Sequence, residues 1–121
     1  MNLDNDIDDL FDQGLNRFNI DEYDEAIKIF KKVLKMNPDH PDALYYRALA
    51  RANKGDYNQA IADFTKAVEK DPLDTDSLIG RGDVWRSKGN VKRALADFKK
   101  ALNMDPDNPD YQKLVDDLEE K

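Results

Sequence analysis

Carboxylates are the commonest reactive groups in this chain, with 26 Asp and Glu against 19 Lys and Arg. Chemistry, however, needs particular groups at particular spacings. The run Asp4-Asn5-Asp6-Ile7-Asp8 imitates the opening of a calcium loop. Such a loop also needs a glycine for its sharp turn and a closing glutamate. This chain has Asp9 and Leu15 at those places. His40 is the only histidine, so neither a His-based triad nor a two-histidine zinc site can be assembled. It lies between Pro38 and Pro41 and reads as an exposed linker residue. Ser77 and Ser87 have no base or glycine elbow near them. No phosphate-cradling glycine loop occurs. The reactive residues therefore point to no enzyme, no metal and no cofactor, and attention moves to the elements that carry them.

Composition narrows the class. The chain has 121 residues, 37% charged and 40% hydrophobic, enough for one domain (1–121) with a modest core. No run approaches the ~20 apolar residues of a membrane-spanning helix, and Met1–Asp6 carries no signal-peptide pattern. There is no cysteine, which excludes disulfides and suits a reducing, cytoplasmic location. The net charge of −7 argues against nucleic acid and anionic membrane as partners. The charge is uneven. Residues 1–40 hold 5 basic and 10 acidic side chains (5 − 10 = −5), and residues 75–108 hold 7 and 5 (7 − 5 = +2).

The strongest signal is a repeat. Leu10, Leu44 and Leu78 stand 34 residues apart. The same step relates Gly14, Ala48 and Gly82; Tyr23, Tyr57 and Val91; Ala26, Ala60 and Ala94; Phe30, Phe64 and Phe98; Val33, Ala67 and Ala101; and Pro38, Pro72 and Pro106. Small residues in two columns let helix backbones approach closely, and the Phe column fills the space between helices. Ala60, Ile61, Phe64, Ala67 and Val68 give the second helix of the middle unit an apolar face. Asp56 and Asn90 suit helix N-caps, with Asp56 and Gln59 resembling a capping box. Prolines end each second helix, and Pro41 and Pro109 suit the first turn of the next one.

These columns resemble the tetratricopeptide repeat, a 34-residue helix–turn–helix unit. Three units would span 7–40, 41–74 and 75–108. The segment Pro109–Glu120 follows, with Tyr111, Leu114, Val115 and Leu118 on one face of a polar helix, and reads as a cap on the open apolar end. The expected fold is all-α: an α-solenoid of three helical hairpins and a C-terminal capping helix, seven helices in all. Met1–Asp6 is expected to fray. The sequence departs from the pattern at Asp21, where the other units have Gly55 and Gly89. It departs again at Arg17 and Arg51, where the third unit has Trp85, read as a core residue.

Each first helix carries a second apolar stripe. It is Phe11, Leu15 and Phe18 in the first unit and Tyr45, Leu49 and Ala52 in the second. In the third it becomes Ile79, Asp83 and Arg86. The resemblance implies that first helices line the concave side, where partners' peptides lie. The expected function is thus a protein-interaction module that binds a peptide or helix of a protein partner. Its groove would use Phe11, Leu15, Tyr45, Tyr46, Leu49 and Ile79, with Asp42 and Asp76 on the rim. Asp8, Asp42 and Asp76 would also favour the positive ends of their helix dipoles. Packing of the same side chains between neighbouring helices, or self-association into a homo-oligomer, are the alternatives. Co-chaperones of the family grip the C-terminal carboxylates of chaperone tails with Lys, Asn and Arg. Phe11, Leu15, Tyr46, Asp76 and Gly80 stand at those places, so a chaperone-tail clamp is not expected.

Overall fold

The computed structural model describes residues 3–120, all seven elements of which are helices. They are α1 (Leu3–Asn19), α2 (Tyr23–Met36), α3 (Pro41–Asn53), α4 (Tyr57–Lys70), α5 (Thr75–Ser87), α6 (Val91–Met104) and α7 (Pro109–Glu119). Helices α1 and α2, α3 and α4, and α5 and α6 pair as antiparallel hairpins that stack in chain order. Leu3–Asp6, expected to fray, belongs to α1; Met1 and Asn2 lie outside the described residues. The acidic run that imitates a calcium loop is therefore helical.

The columns of the repeat become the core. Phe30, Phe64 and Phe98 are fully buried, as are Ala26, Ala60 and Ala94 beside them. A methyl-sized side chain in the Ala column lets a whole Phe ring fit between two helices at close-packed density. The final helix behaves as a lid. Val115 and Leu118 of α7 are buried against Ala94 and Phe98, and the Tyr111 hydroxyl donates to Thr75 Oγ1 at 3.1 Å.

The hairpin turns are alike despite their different residues. Gly55 and Gly89 take the left-handed conformation, at φ 87° and 85°. Asp21 takes it too, at φ 63°. A short polar side chain tolerates this region better than most, and Asp21 accepts a hydrogen bond from the Tyr23 hydroxyl at 2.9 Å. In each turn the left-handed residue's N–H bonds back three residues, and the next N–H bonds back five. The turn geometry is thus kept where the glycine is lost.

Helix starts bring two corrections. Asp56 is the N-cap residue of α4, yet its side chain makes no capping hydrogen bond, so the Asp56–Gln59 box is not formed. Asn90 does cap α6, accepting from the Arg93 N–H at 3.1 Å. His40 is not an idle linker residue. Its Nδ1 caps α3 by accepting from the Ala43 N–H at 3.1 Å, and its ring sits 5.1 Å from that of Phe11.

Two ion pairs, each a buried Asp with a partly buried Arg, also repeat. Arg47 donates through Nε and Nη2 to both oxygens of Asp63, at 2.8 and 2.7 Å. Arg81 does the same to Asp97, at 2.9 and 2.8 Å. The 34-residue register puts Gln13 and Ile29 at these places in the first hairpin, which has no such pair. Bidentate geometry is what makes burial of both charges tolerable.

Candidate functional site

Curvature follows from which helices touch. Among the described residues the backbones of α1 and α3, and of α3 and α5, approach one another closely, while those of α2 and α4, and of α4 and α6, stay further apart. The second helices therefore splay on the outer side and the first helices gather on the inner, concave one. That face has two seams, one between α1 and α3 and one between α3 and α5.

The first seam is filled with rings. Tyr46 of α3 lies 5.9 Å from Phe11, 5.6 Å from Phe18 and 6.3 Å from Phe30. Offset and edge contacts at these separations add to the apolar area they remove from water. The second seam differs because Gly80 replaces Tyr46 in the register. A Cβ at Gly80 would fall 2.6 Å from the Phe64 ring, so glycine lets α5 approach that ring. It also leaves an opening of about 360 Å³, with Phe64 and Val84 at its floor and Leu49, Tyr57 and Asp83 around it.

The eight expected groove residues divide between these places. Phe11 is only 9% exposed, so its ring belongs to the core and is not open floor as expected. Tilted packing of the Phe11 ring against Phe30, His40 and Tyr46 accounts for that. Leu15 and Tyr46 are half-buried in the same cluster. Tyr45 and Leu49 are half-buried beside Phe64 and Val84. Ile79 packs further along, against the clusters of the third hairpin. Asp42 and Asp76 are exposed in the first turns of α3 and α5. The residues are thus not one continuous trough: a closed half holds Phe11, Leu15 and Tyr46, Leu49 lines the opening, and Tyr45 packs between the two, against Tyr46 and Phe64.

Sequence reasoning missed Phe64, Val84, Tyr57 and Gly80 as parts of the opening. The available signal was the break in one column, from Tyr46 to Gly80. Trp85 was expected in the core, but it is half-buried, with the Arg93 guanidinium 4.8 Å from its ring on the outer side.

One carboxylate, that of Asp83, stands at the opening. Burial pushes the Asp83 carboxyl above its usual range, with Arg86 opposing; the two are ion-paired at 2.6 Å. The Tyr45 hydroxyl is pushed up as well, first by burial and then by the carboxylate charges of Asp76, Asp74 and Asp83. Carboxylates of α5 and of the turn before it thus act on a ring of α3 across the seam.

No described helix is long and apolar enough to cross a membrane. Comparison with curated proteins gives no match. Among solved structures, the first tetratricopeptide domain of Spaghetti (RPAP3), bound to the HSP90 peptide SRMEEVD, superposes with a TM-score of 0.88. It is 23% identical, over 94% of this chain and 90% of that one. The Arabidopsis OM64 domain gives 0.88 at 24% identity, over 94% of each chain. The Yersinia enterocolitica secretion chaperone SycD, in complex with a peptide of the translocator YopD, gives 0.84 at 16% identity, over 96% and 88%. The tetratricopeptide repeat family model matches residues 11–74 and again 48–109. The chain therefore belongs to the tetratricopeptide repeat family.

Proposed function

We propose that this chain is a protein-interaction module that holds a short segment of a partner protein on its concave face. The observation that carries this reading is the opening over Phe64. It combines an apolar floor with polar groups at its edge (Asn53, Asp83 and Ser87), the usual make-up of a recognition pocket. Tyr45 and Leu49 would flank the segment, Ile79 would extend the track, Leu15 would stay in the closed seam beside it, and Asp42 and Asp76 would form its rim. Phe11 and Tyr46 would support the surface from beneath. Relatives of the same fold bound to peptides agree with this reading.

The segment held is not a chaperone tail gripped by its terminal carboxylate. Phe11, Leu15, Tyr46, Asp76 and Gly80 supply no cation at the places where the clamp needs them, and Asp76 would repel a carboxylate. The three hairpins, at 7–40, 41–74 and 75–108, would act as one unit with the cap, 109–120.

A random-peptide display selection on the isolated chain tests the reading. Selected peptides should shift the backbone amides of Leu49, Gly80 and Asp83 in nitrogen-15 NMR spectra. Leu49→Ala should weaken them without changing the helical circular dichroism. Peptides that shift only outer-face amides, or a Leu49→Ala variant that loses its helices, would remove the site.

A further inference from the structure

We propose that the segment held over Phe64 is cationic and apolar: a bulky aliphatic side chain fills the opening, and flanking Lys or Arg residues meet Asp76 and Asp83. This rests on the groove reading above and adds the chemistry of the partner.

Charge complementarity carries the argument. On the inner-face positions of the three first helices the 34-residue register places Asp8, Asp12, Asp42, Asp76 and Asp83, against Arg86 alone. Arg86 is already engaged, by Asp83 at 2.6 Å and by the Phe98 ring at 5.5 Å. Asp42 and Asp76 are exposed and make no ion pair among the described residues. The negative charge of Asp76 reaches the apolar part of the seam, since Asp76 acts on the Tyr45 hydroxyl together with Asp74 and Asp83.

An anionic segment would have to desolvate its carboxylates beside these, which like-charge juxtaposition penalises. A neutral apolar segment would leave the Asp83 carboxylate, already held partly out of water, covered without a further partner. A cation next to an apolar anchor meets both conditions. The volume of about 360 Å³ suits one such anchor. A second copy of this chain is a poorer occupant, because its own net charge is −7.

The test is an NMR titration of the full chain with three synthetic decapeptides. One alternates Lys and Leu, one Glu and Leu, and one Lys and Ser. The Lys/Leu peptide should shift the amides of Leu49, Gly80 and Asp83 and bind about tenfold more tightly than the other two, with added salt narrowing the gap. The double variant Asp76→Asn with Asp83→Asn, checked for native amide dispersion, should cut the preference for Lys/Leu over Glu/Leu to about twofold. Equal binding of Glu/Leu at the same amides would overturn the charge class and leave the groove reading standing. Equal binding of Lys/Ser would overturn the apolar anchor. Concentration-dependent shifts of those amides in the free chain would assign the site to a second copy and overturn the proposal. No shift at those amides with any peptide would overturn both readings.

Discussion

The two inner seams share backbone, register and neighbours, yet one is closed and the other open. Between α1 and α3 the Tyr46 ring plugs the gap, touching Phe11, Phe18 and Phe30. Between α3 and α5 the same column offers Gly80, and the Phe64 ring forms the floor of an opening. The open seam carries a tie on its outer side. There Arg81 donates Nη1 to Thr65 Oγ1 of the preceding hairpin at 3.1 Å, while its other nitrogens grip Asp97. Lys31 stands in the Thr65 register of the first hairpin, where no such bond to Arg47 forms. Both seams carry polar ties between hairpins, Lys54 with Asp24 at the closed one and Arg81 with Thr65 at the open one. What differs is the plug: where Tyr46 is replaced by Gly80, inner surface is left for a guest.

The largest loss is expected inside the third hairpin, where Asp97 pairs with the same Arg81 that bonds Thr65 across the open seam. Asp97→Ala leaves Arg81, only 18% exposed, with an unpaired charge. Removing one partner of a buried pair costs about 3–5 kcal/mol, so the urea midpoint should fall more than for any other change considered. Loss of the closed seam's plug comes next. Tyr46→Ala removes a ring packed on three others and should cost about 2–4 kcal/mol by the same measurement. If Tyr46→Ala proves the more damaging of the two, the Arg81–Asp97 pair contributes less to the third hairpin than the Tyr46 ring does to the closed seam.

Gly80→Ala sharpens the comparison from the other direction. The added methyl would sit 2.6 Å from the Phe64 ring. Overpacking of this kind costs about 1–3 kcal/mol, offset by about 1 kcal/mol of helix propensity. A net loss of about 1 kcal/mol is expected from these opposing terms, together with weaker binding of any peptide selected on the wild-type chain. A more stable variant would mean that the Phe64 ring yields freely and that glycine is not needed there.

Most of the fold was legible in the sequence because it rests on periodic columns. Phe30, Phe64 and Phe98 repeat at the spacing that buries them, and Pro41 and Pro109 fall in the first turns of α3 and α7. What stayed hidden depends on pairs from different hairpins. A stripe on one helix shows which way a side chain points, but not whether the next helix covers it. Phe11 and Tyr45 occupy the same register, yet Phe11 is sealed by Tyr46 whereas Tyr45, whose next hairpin offers Gly80 in the Tyr46 column, stays half-buried. The cap formed by His40 was equally hidden, since a histidine between prolines gives no hint that Nδ1 faces a helix start.

The smallest expected effect concerns Asp83, whose sign can be worked out in advance. Burial raises its carboxyl in the folded chain, whereas the unfolded chain returns it to the ordinary range near 3.9. The folded state therefore binds the proton more readily, and ionised Asp83 is a cost to folding that vanishes as pH falls through the raised value. Asp83→Asn removes that cost but also the pair with Arg86, and Asp83 is 48% exposed. Solvent screening keeps the net gain at neutral pH below about 0.5 kcal/mol. The gain should shrink on acidification, as seen by urea unfolding at a series of pH values. A gain that grows on acidification would show that the charged form is favoured, and that Arg86 outweighs burial. Binding of a cationic peptide should run the opposite way. It needs the carboxylate, so wild-type affinity should fall as pH drops through the raised value, and the Asp83→Asn variant should lose much of that dependence.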